Sequence, residues 1–487
     1  MSIERRIRLG FLCCTALFLC ATPTLGDPKP LSKEEQAKVD KAIERAVAYI
    51  KKSQKETGDF GEAGRDQIGM YANHGYIFFP ALALLESGVA VDDPAIQKVV
   101  RLVRELEPKL DRTYEVSLAI LFLDRLGDPK DEERIRNLSL RLLAAQTYTG
   151  GWGYACPTVS NENQRDLLKL LEQLQSKYYS PRAIQEGATA KDRNPRNARV
   201  TIPPQLRLLA IAQNPKNTIK RVERGLSWAN PPEDLNVRYL ISSTDNSNTQ
   251  FALLALCASG RHSIPISPTA DLIVRRFASS QNKDGSWCYR YRPGGFTSPE
   301  KGNIVSGANC NTAAGLIGLA MFRWANISTN EETASAHDDR ILNAITRLSR
   351  DIVSPTGRMD KEIRREDLYF LWSVERVATL YNLSSIAGKD WYRWGSEILV
   401  ANQNEEGSWD HKGFPRWGDA STQAAFGLLF LKRANWTKVL TEKLSSKGRE
   451  LEKSIVARVR ALETQSLSQG GESLDPKNGS QKSTRDR

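Results

Sequence analysis

The sequence predicts an all-α fold in which about six helical hairpins close an (α/α)6 toroid. Three observations predict it. A Gln-x-x-x-Gly-x-aromatic pattern recurs four times, an amphipathic helical stretch precedes each copy, and helices that are apolar or small on every face follow.

The pattern comprises Gln54, Gly58 and Phe60, then Gln146, Gly150 and Trp152. It returns as Gln281, Gly285 and Trp287, and as Gln403, Gly407 and Trp409. The helix before the first copy carries Val39, Ile43, Val47 and Ile50 at spacings of three or four, so one stripe is apolar. The glycine then supplies a helix stop where positive φ is often needed. The glutamine is placed to reach unpaired backbone groups of a neighbouring hairpin. The later helices open with Asn248-Thr-Gln, Asn311-Thr-Ala and Ser421-Thr-Gln, cap-forming residues followed by unbroken apolar or small ones. A helix of that kind must be buried all round, which an inner ring wrapped by an outer ring achieves. Two further hairpins, near 95–126 and 340–383, lack the pattern, with inner helices around Tyr114–Leu123 and Leu368–Trp372.

Two segments depart from the repeat. Residues 155–244 carry fourteen Lys/Arg against eight Asp/Glu and hold one expected helix, Leu167–Leu174. This basic insertion is expected to fold over one mouth of the toroid. The toroid is bounded at 27–436, and 437–487 reads as a charged helix with a disordered tail.

The first 26 residues read as a signal peptide. Arg5, Arg6 and Arg8 precede a short apolar run, Leu12–Ala21, and Thr24-Leu25-Gly26 offers a small-residue cleavage site. The protein is therefore expected to be exported, periplasmic or secreted, with no transmembrane segment in the mature chain. The net charge of +12 reads as a solvated surface, and no nucleic-acid motif accompanies it. Beyond the signal the cysteines are Cys156, Cys257, Cys288 and Cys310, with no CxxC pair. Cys156 and Cys288 each follow a pattern aromatic in consecutive pattern-bearing hairpins, so a Cys156–Cys288 disulfide is expected.

The repeats, on alternating outer and inner helices, resemble the QW repeats of the terpenoid cyclase and protein prenyltransferase superfamily. More narrowly the chain is similar to secreted bacterial proteins with prenyltransferase and squalene-oxidase repeats. The resemblance spans roughly residues 35–433. It implies the toroid and an apolar small molecule or a protein partner in or over the central cavity. Family cyclases protonate an alkene with an Asp-x-Asp-Asp-Thr motif. The matching stretch here is Asp245-Asn246-Ser247-Asn248-Thr249, so two acids are absent. Family prenyltransferases hold zinc with Asp, Cys and His. Only Cys310 matches, with Ala308 and Ala420 near the other two places.

No cofactor or metal is therefore expected. Asp245, Asp419 and Cys310 remain as catalytic candidates. Asp245, Glu115, Asp367 and Asp419 lie near the starts of inner helices, where paired carboxylates would suit a rearranged isoprenoid- or glycan-acting site. Tyr76, Phe78, Phe79, Tyr369, Phe370 and Trp372 are candidate pocket aromatics. The histidines are His74, His262, His337 and His411, read as solvated loop or helix-end residues.

Overall fold

The computed structural model describes residues 30–60, 75–179 apart from 148 and 157, 244–291, 308–324, 331–352, 365–409 and 419–444 apart from 439 and 443, with a few between 453 and 461. The expected signal peptide, most of the tail, His74 and His411 lie outside them. Among the described residues the structure is mostly helical and has no strand.

The helices come in pairs. They are α1 (Lys33–Ser53) with α2 (Gly75–Glu86), α3 (Pro94–Leu106) with α4 (Thr113–Leu126), and α5 (Glu132–Ala144), which is followed by α6 (Asn161–Tyr178) and α7 (Asn246–Ser259). Then come α8 (Ser267–Ser280) with α9 (Ala308–Trp324), α10 (Glu331–Ser349) with α11 (Arg365–Leu380), and α12 (Trp391–Asn402) with α13 (Ala420–Lys432). Local chemistry sets their ends. Ser32 and Glu35 form a reciprocal capping box on α1, Asp93 caps α3, and Gly127 ends α4 at a φ of 71°.

The second member of each pair is the apolar one, and these six contact one another in a cycle. α2 packs on α4, α4 on α7, α7 on α9, α9 on α11 and α11 on α13, and α13 returns to α2. In α7 every residue from Asn248 to Ser259 is buried. The amphipathic helices lie outside this cycle. α1 rests on α13 and α2, α3 on α2, α5 on α4 and α7, α8 and α10 on α9, and α12 on α11 and α13.

The four sequence patterns make the same turn and the same seam. Gly58, Gly150, Gly285 and Gly407 have φ of 96°, 78°, 91° and 103°. Each glutamine amide donates to its own glycine carbonyl at 3.1 Å. It also donates to a carbonyl of the next outer helix, Ala95, Thr269, Arg340 or Ala42, at 2.8–3.2 Å. The aromatics Phe60, Trp152, Trp287 and Trp409 are fully buried. Each tryptophan folds back so that its indole N–H reaches the carbonyl ten residues earlier. The last seam joins Gln403 to α1, so the chain's first helix closes the outer layer against its twelfth.

Two seams lack the pattern, and cations replace it. Between α3 and α5, Arg141 donates to the carbonyls of Glu107 and Leu110, and Arg104 pairs with Asp128 and the buried Asp131. Between α10 and α12, Lys389 donates to the carbonyls of Ser349 and Ile352 at 2.7 and 2.6 Å. A cation suits the carbonyl end of a helix for the same reason a glutamine amide does.

Two expectations change here. The described part of the insertion, α6, packs against the outer helices α5 and α8, and Tyr179 just after it donates to Asp271 at 3.0 Å. Its apolar face, Leu167, Leu170, Leu171 and Leu174, is buried there rather than over a mouth. Residues 180–243 lie outside the description. The core also runs past 436, because Trp436, Leu440 and Leu444 are buried within it.

Candidate functional site

The N-terminal turns of α4, α7, α9 and α11 meet at one end. Extended segments beside Trp152 and Trp287 run along those turns. Thr113 donates its amide to Tyr154 and its hydroxyl to Gly153, while Asp245 and Asn246 donate theirs to Trp152 and Tyr289. This backbone register brings Tyr154 and Tyr289 beside Tyr114 of α4 and Ser247 of α7.

Hydroxyls connect the group. Tyr114 donates to Ser247 Oγ at 2.8 Å, and Ser247 lies 3.1 Å from the Tyr369 hydroxyl. Tyr369 donates to Gln250 Oε1 at 2.7 Å, so its proton is committed and Ser247 must be the donor to Tyr369. The Tyr154 and Tyr289 hydroxyls pair at 3.0 Å. Tyr154 is 42% exposed, one of two large hydrophobic residues that reach the surface among the described residues. Burial raises the Tyr114 and Tyr369 phenols well above the ordinary range, with the charges of Asp245 and Cys310 adding to it respectively, so both are neutral donors.

Beneath the hydroxyls the cycle is filled by its own rings. Phe79 and Phe426 have centroids 4.6 Å apart, Phe251 stacks on Trp372 at 5.3 Å, and Trp372 meets Phe426 at 5.4 Å. Phe79, Tyr369 and Trp372 therefore belong to this cluster, Phe78 is fully buried, and Phe370 turns to Trp394 of the outer layer. The side chain of Tyr76 lies outside the described residues.

The candidate acids are spent on capping. Asp245 accepts from the Asn248 amide at 2.7 Å and from its side chain at 2.8 Å, and it is 1% exposed. Burial raises its carboxyl while those bonds and Arg276 oppose the shift. Arg276 is itself buried and held by Asn246, Thr149 and Thr244. Asp419 caps α13 through Thr422 at 2.7 Å. Glu115 is buried and lies 3.4 Å from the Asp111 amide. The Asp367 side chain lies outside the description. Cys310 sits in the first turn of α9, 5% exposed, near Tyr369. The described carboxylates do not converge on one point.

The expected disulfide is absent. Cys156 and Cys288 are both free thiols. Cys156 turns into the core beneath α4, where burial lifts its thiol to about 12, whereas Cys288 faces Asn282 of its own turn. Spacing placed both after a pattern aromatic, but the two turns direct them to different neighbours.

Toward the C-terminal end of α11 the segment after α13 packs against that helix. Trp436 packs on Trp372 at 5.7 Å and under Arg376 at 4.8 Å, and Thr441 donates to the Thr379 carbonyl. Arg376 also holds the Ala434 carbonyl and the buried Glu375, whose carboxyl is pushed up to about 7 by burial.

The sequence left Tyr154 and Tyr289 unnoticed, and saw Tyr114 only as a helix residue. A trace was there: only the second and third of the four copies continue aromatic-x-Tyr, as Trp152-Gly-Tyr154 and Trp287-Cys-Tyr289.

Among the described residues no group of His, Cys, Asp and Glu is arranged to hold a metal ion, and no helix is long and apolar enough to cross a membrane. No protein-family model matches the chain, and no curated protein does.

Proposed function

We propose that this chain is an exported (α/α)6 toroid of the terpenoid cyclase and prenyltransferase kind that binds, rather than transforms, a ligand or partner at its tyrosine-rich mouth. The closed cycle of apolar helices, wrapped by six amphipathic ones through repeated Gln–Gly seams, supports the toroid. The observation that carries the binding reading is Ser247. It stands where a cyclase of this kind would carry its proton-donating acid, and it joins two neutral tyrosines above a core already filled by Phe79, Phe251, Trp372 and Phe426. A serine hydroxyl cannot protonate an alkene, and rings in mutual contact leave a ligand the mouth rather than the interior.

Native mass spectrometry of the full chain, purified without detergent, tests this. Ser247→Trp should block the mouth, so a non-covalent mass carried by the wild type should be missing from the variant. A bare chain in both cases, or conversion of added squalene to cyclised product, overturns the reading.

A further inference from the structure

Arg276 of α8 is buried, charged and incompletely bonded. It is 1% exposed. Its Nε donates to Asn246 Oδ1 at 3.0 Å, and its Nη1 donates to Thr149 Oγ1 at 3.0 Å and Thr244 Oγ1 at 2.9 Å. Its Nη2 is buried and meets no acceptor among the described residues. A guanidinium nitrogen only donates, so whatever meets Nη2 brings an acceptor. The hydroxyls beside it close on themselves and on backbone. Thr147 donates to the Gly151 carbonyl at 2.9 Å, so Thr149 donates to Thr147 and Thr244 to Thr149.

The charge is also poorly matched. Two other arginines are as deeply buried, and each has a carboxylate partner: Glu107 lies 3.7 Å from Arg141, and Glu375 pairs with Arg376. Arg276 forms no such pair among the described residues. The charge of Asp245 acts on it, but both Asp245 oxygens accept from Asn248. Burial pulls the guanidinium down to about 10, so it stays cationic at neutral pH. A water oxygen would satisfy Nη2 and leave the charge, whereas an oxyanion answers both. Tyr291 is the cover. Its half-buried ring lies 4.9 Å from Arg276 Cζ, and its hydroxyl meets Ser279 Oγ at 3.2 Å in an exposed contact.

We propose that Arg276 holds a small oxyanion, a carboxylate or phosphate group seated on Nη2 in the space the Tyr291 ring covers. Thr244, the last residue of the basic insertion, is one wall of this site. The site needs no ligand at the tyrosine mouth.

Isothermal titration of the full chain with inorganic phosphate and with acetate tests it, in about 0.15 M chloride to screen diffuse binding to the basic surface. Acetamide is the neutral match for acetate. Phosphate or acetate should bind and acetamide should not, and the anion that binds separates the two sources. Tyr291→Ala should tighten the anion about tenfold, because no ring has to be displaced. Arg276→Lys should weaken it about tenfold, since an ammonium cannot hold Asn246, the threonines and the ligand together. Where Arg276→Lys does not fold, Tyr291→Ala decides alone. Anion binding that Tyr291→Ala fails to tighten overturns the site, as does binding that Arg276→Lys leaves intact. Acetamide bound as tightly as acetate overturns the role of charge. No anion bound by either wild type or Tyr291→Ala overturns the proposal.

Discussion

Gly407 shows how much one residue decides. Its φ of 103° suits glycine, and its Cα lies against the Arg45 carbonyl, where a Cβ would collide with backbone. Gly127 also has positive φ, at 71°, but nothing lies within contact of its would-be Cβ. The pair separates conformational strain from close approach. Gly127→Ala should cost about 1–2 kcal/mol for the left-handed conformation alone. Gly407→Ala should cost about 1–3 kcal/mol beyond that, because the outer layer must part to admit the methyl. Urea unfolding of both variants checks the ordering, and equal losses would mean the seam yields freely. Asp245, a catalytic candidate from sequence, stands before an apolar run and caps it. That Ser247 faces two tyrosines was not legible, because those partners lie 133 and 122 residues away.

At the scale of elements, His262 is the clearest titrating clasp. It follows α7 and touches Asp124 of α4 at 3.1 Å and Glu132 of α5 at 2.7 Å. Arg261 also pairs with Asp124, and Arg136 donates to the His262 carbonyl. The hydrogen bond to Asp124 leads in raising the imidazole above its ordinary 6.5, against partial desolvation and with help from Glu132. A raised folded value means the clasp is fully present below about pH 6.5 and is lost as pH rises through the folded value. The thermal midpoint of wild type should therefore fall between pH 6 and 8 more steeply than that of His262→Gln. Parallel curves would show that the contact does not stabilise the folded state. Sequence alone had placed this histidine as solvated, since nothing local reveals acids 138 and 130 residues away.

For the whole molecule, the two kinds of seam divide the outer layer evenly. Gln–Gly seams join α12 to α1 to α3, and α5 to α8 to α10. The cation seams, α3 to α5 and α10 to α12, lie between these two triplets. Each triplet is held by glutamine amides set on repeated backbone turns, whereas the boundaries depend on cationic side chains. Lys389→Met should therefore loosen one boundary while leaving both triplets whole. Two carbonyls losing their donor should cost about 1–3 kcal/mol. Hydrogen exchange should show faster opening at the end of α10 and start of α12, with the turns at Gly285 and Gly407 protected as before. Uniform acceleration across all six seams would show a single cooperative layer instead.

Periodicity and the spaced Gln–Gly–aromatic pattern determined the helices, their alternation and the four repeated turns, because those depend on neighbours within about ten residues. The two expected hairpins without the pattern also formed, but how their seams close was hidden, since Arg141 and Lys389 look like surface cations until their carbonyl partners are in place. Only the tertiary structure decided that Cys156 and Cys288 stay apart, that Asp245 and Asp419 cap helices rather than share a site, and that Tyr114, Tyr154, Tyr289 and Tyr369 gather around Ser247. The reason is the same in each case. These outcomes depend on side-chain direction at contacts far apart in the chain, which spacing along a sequence does not carry.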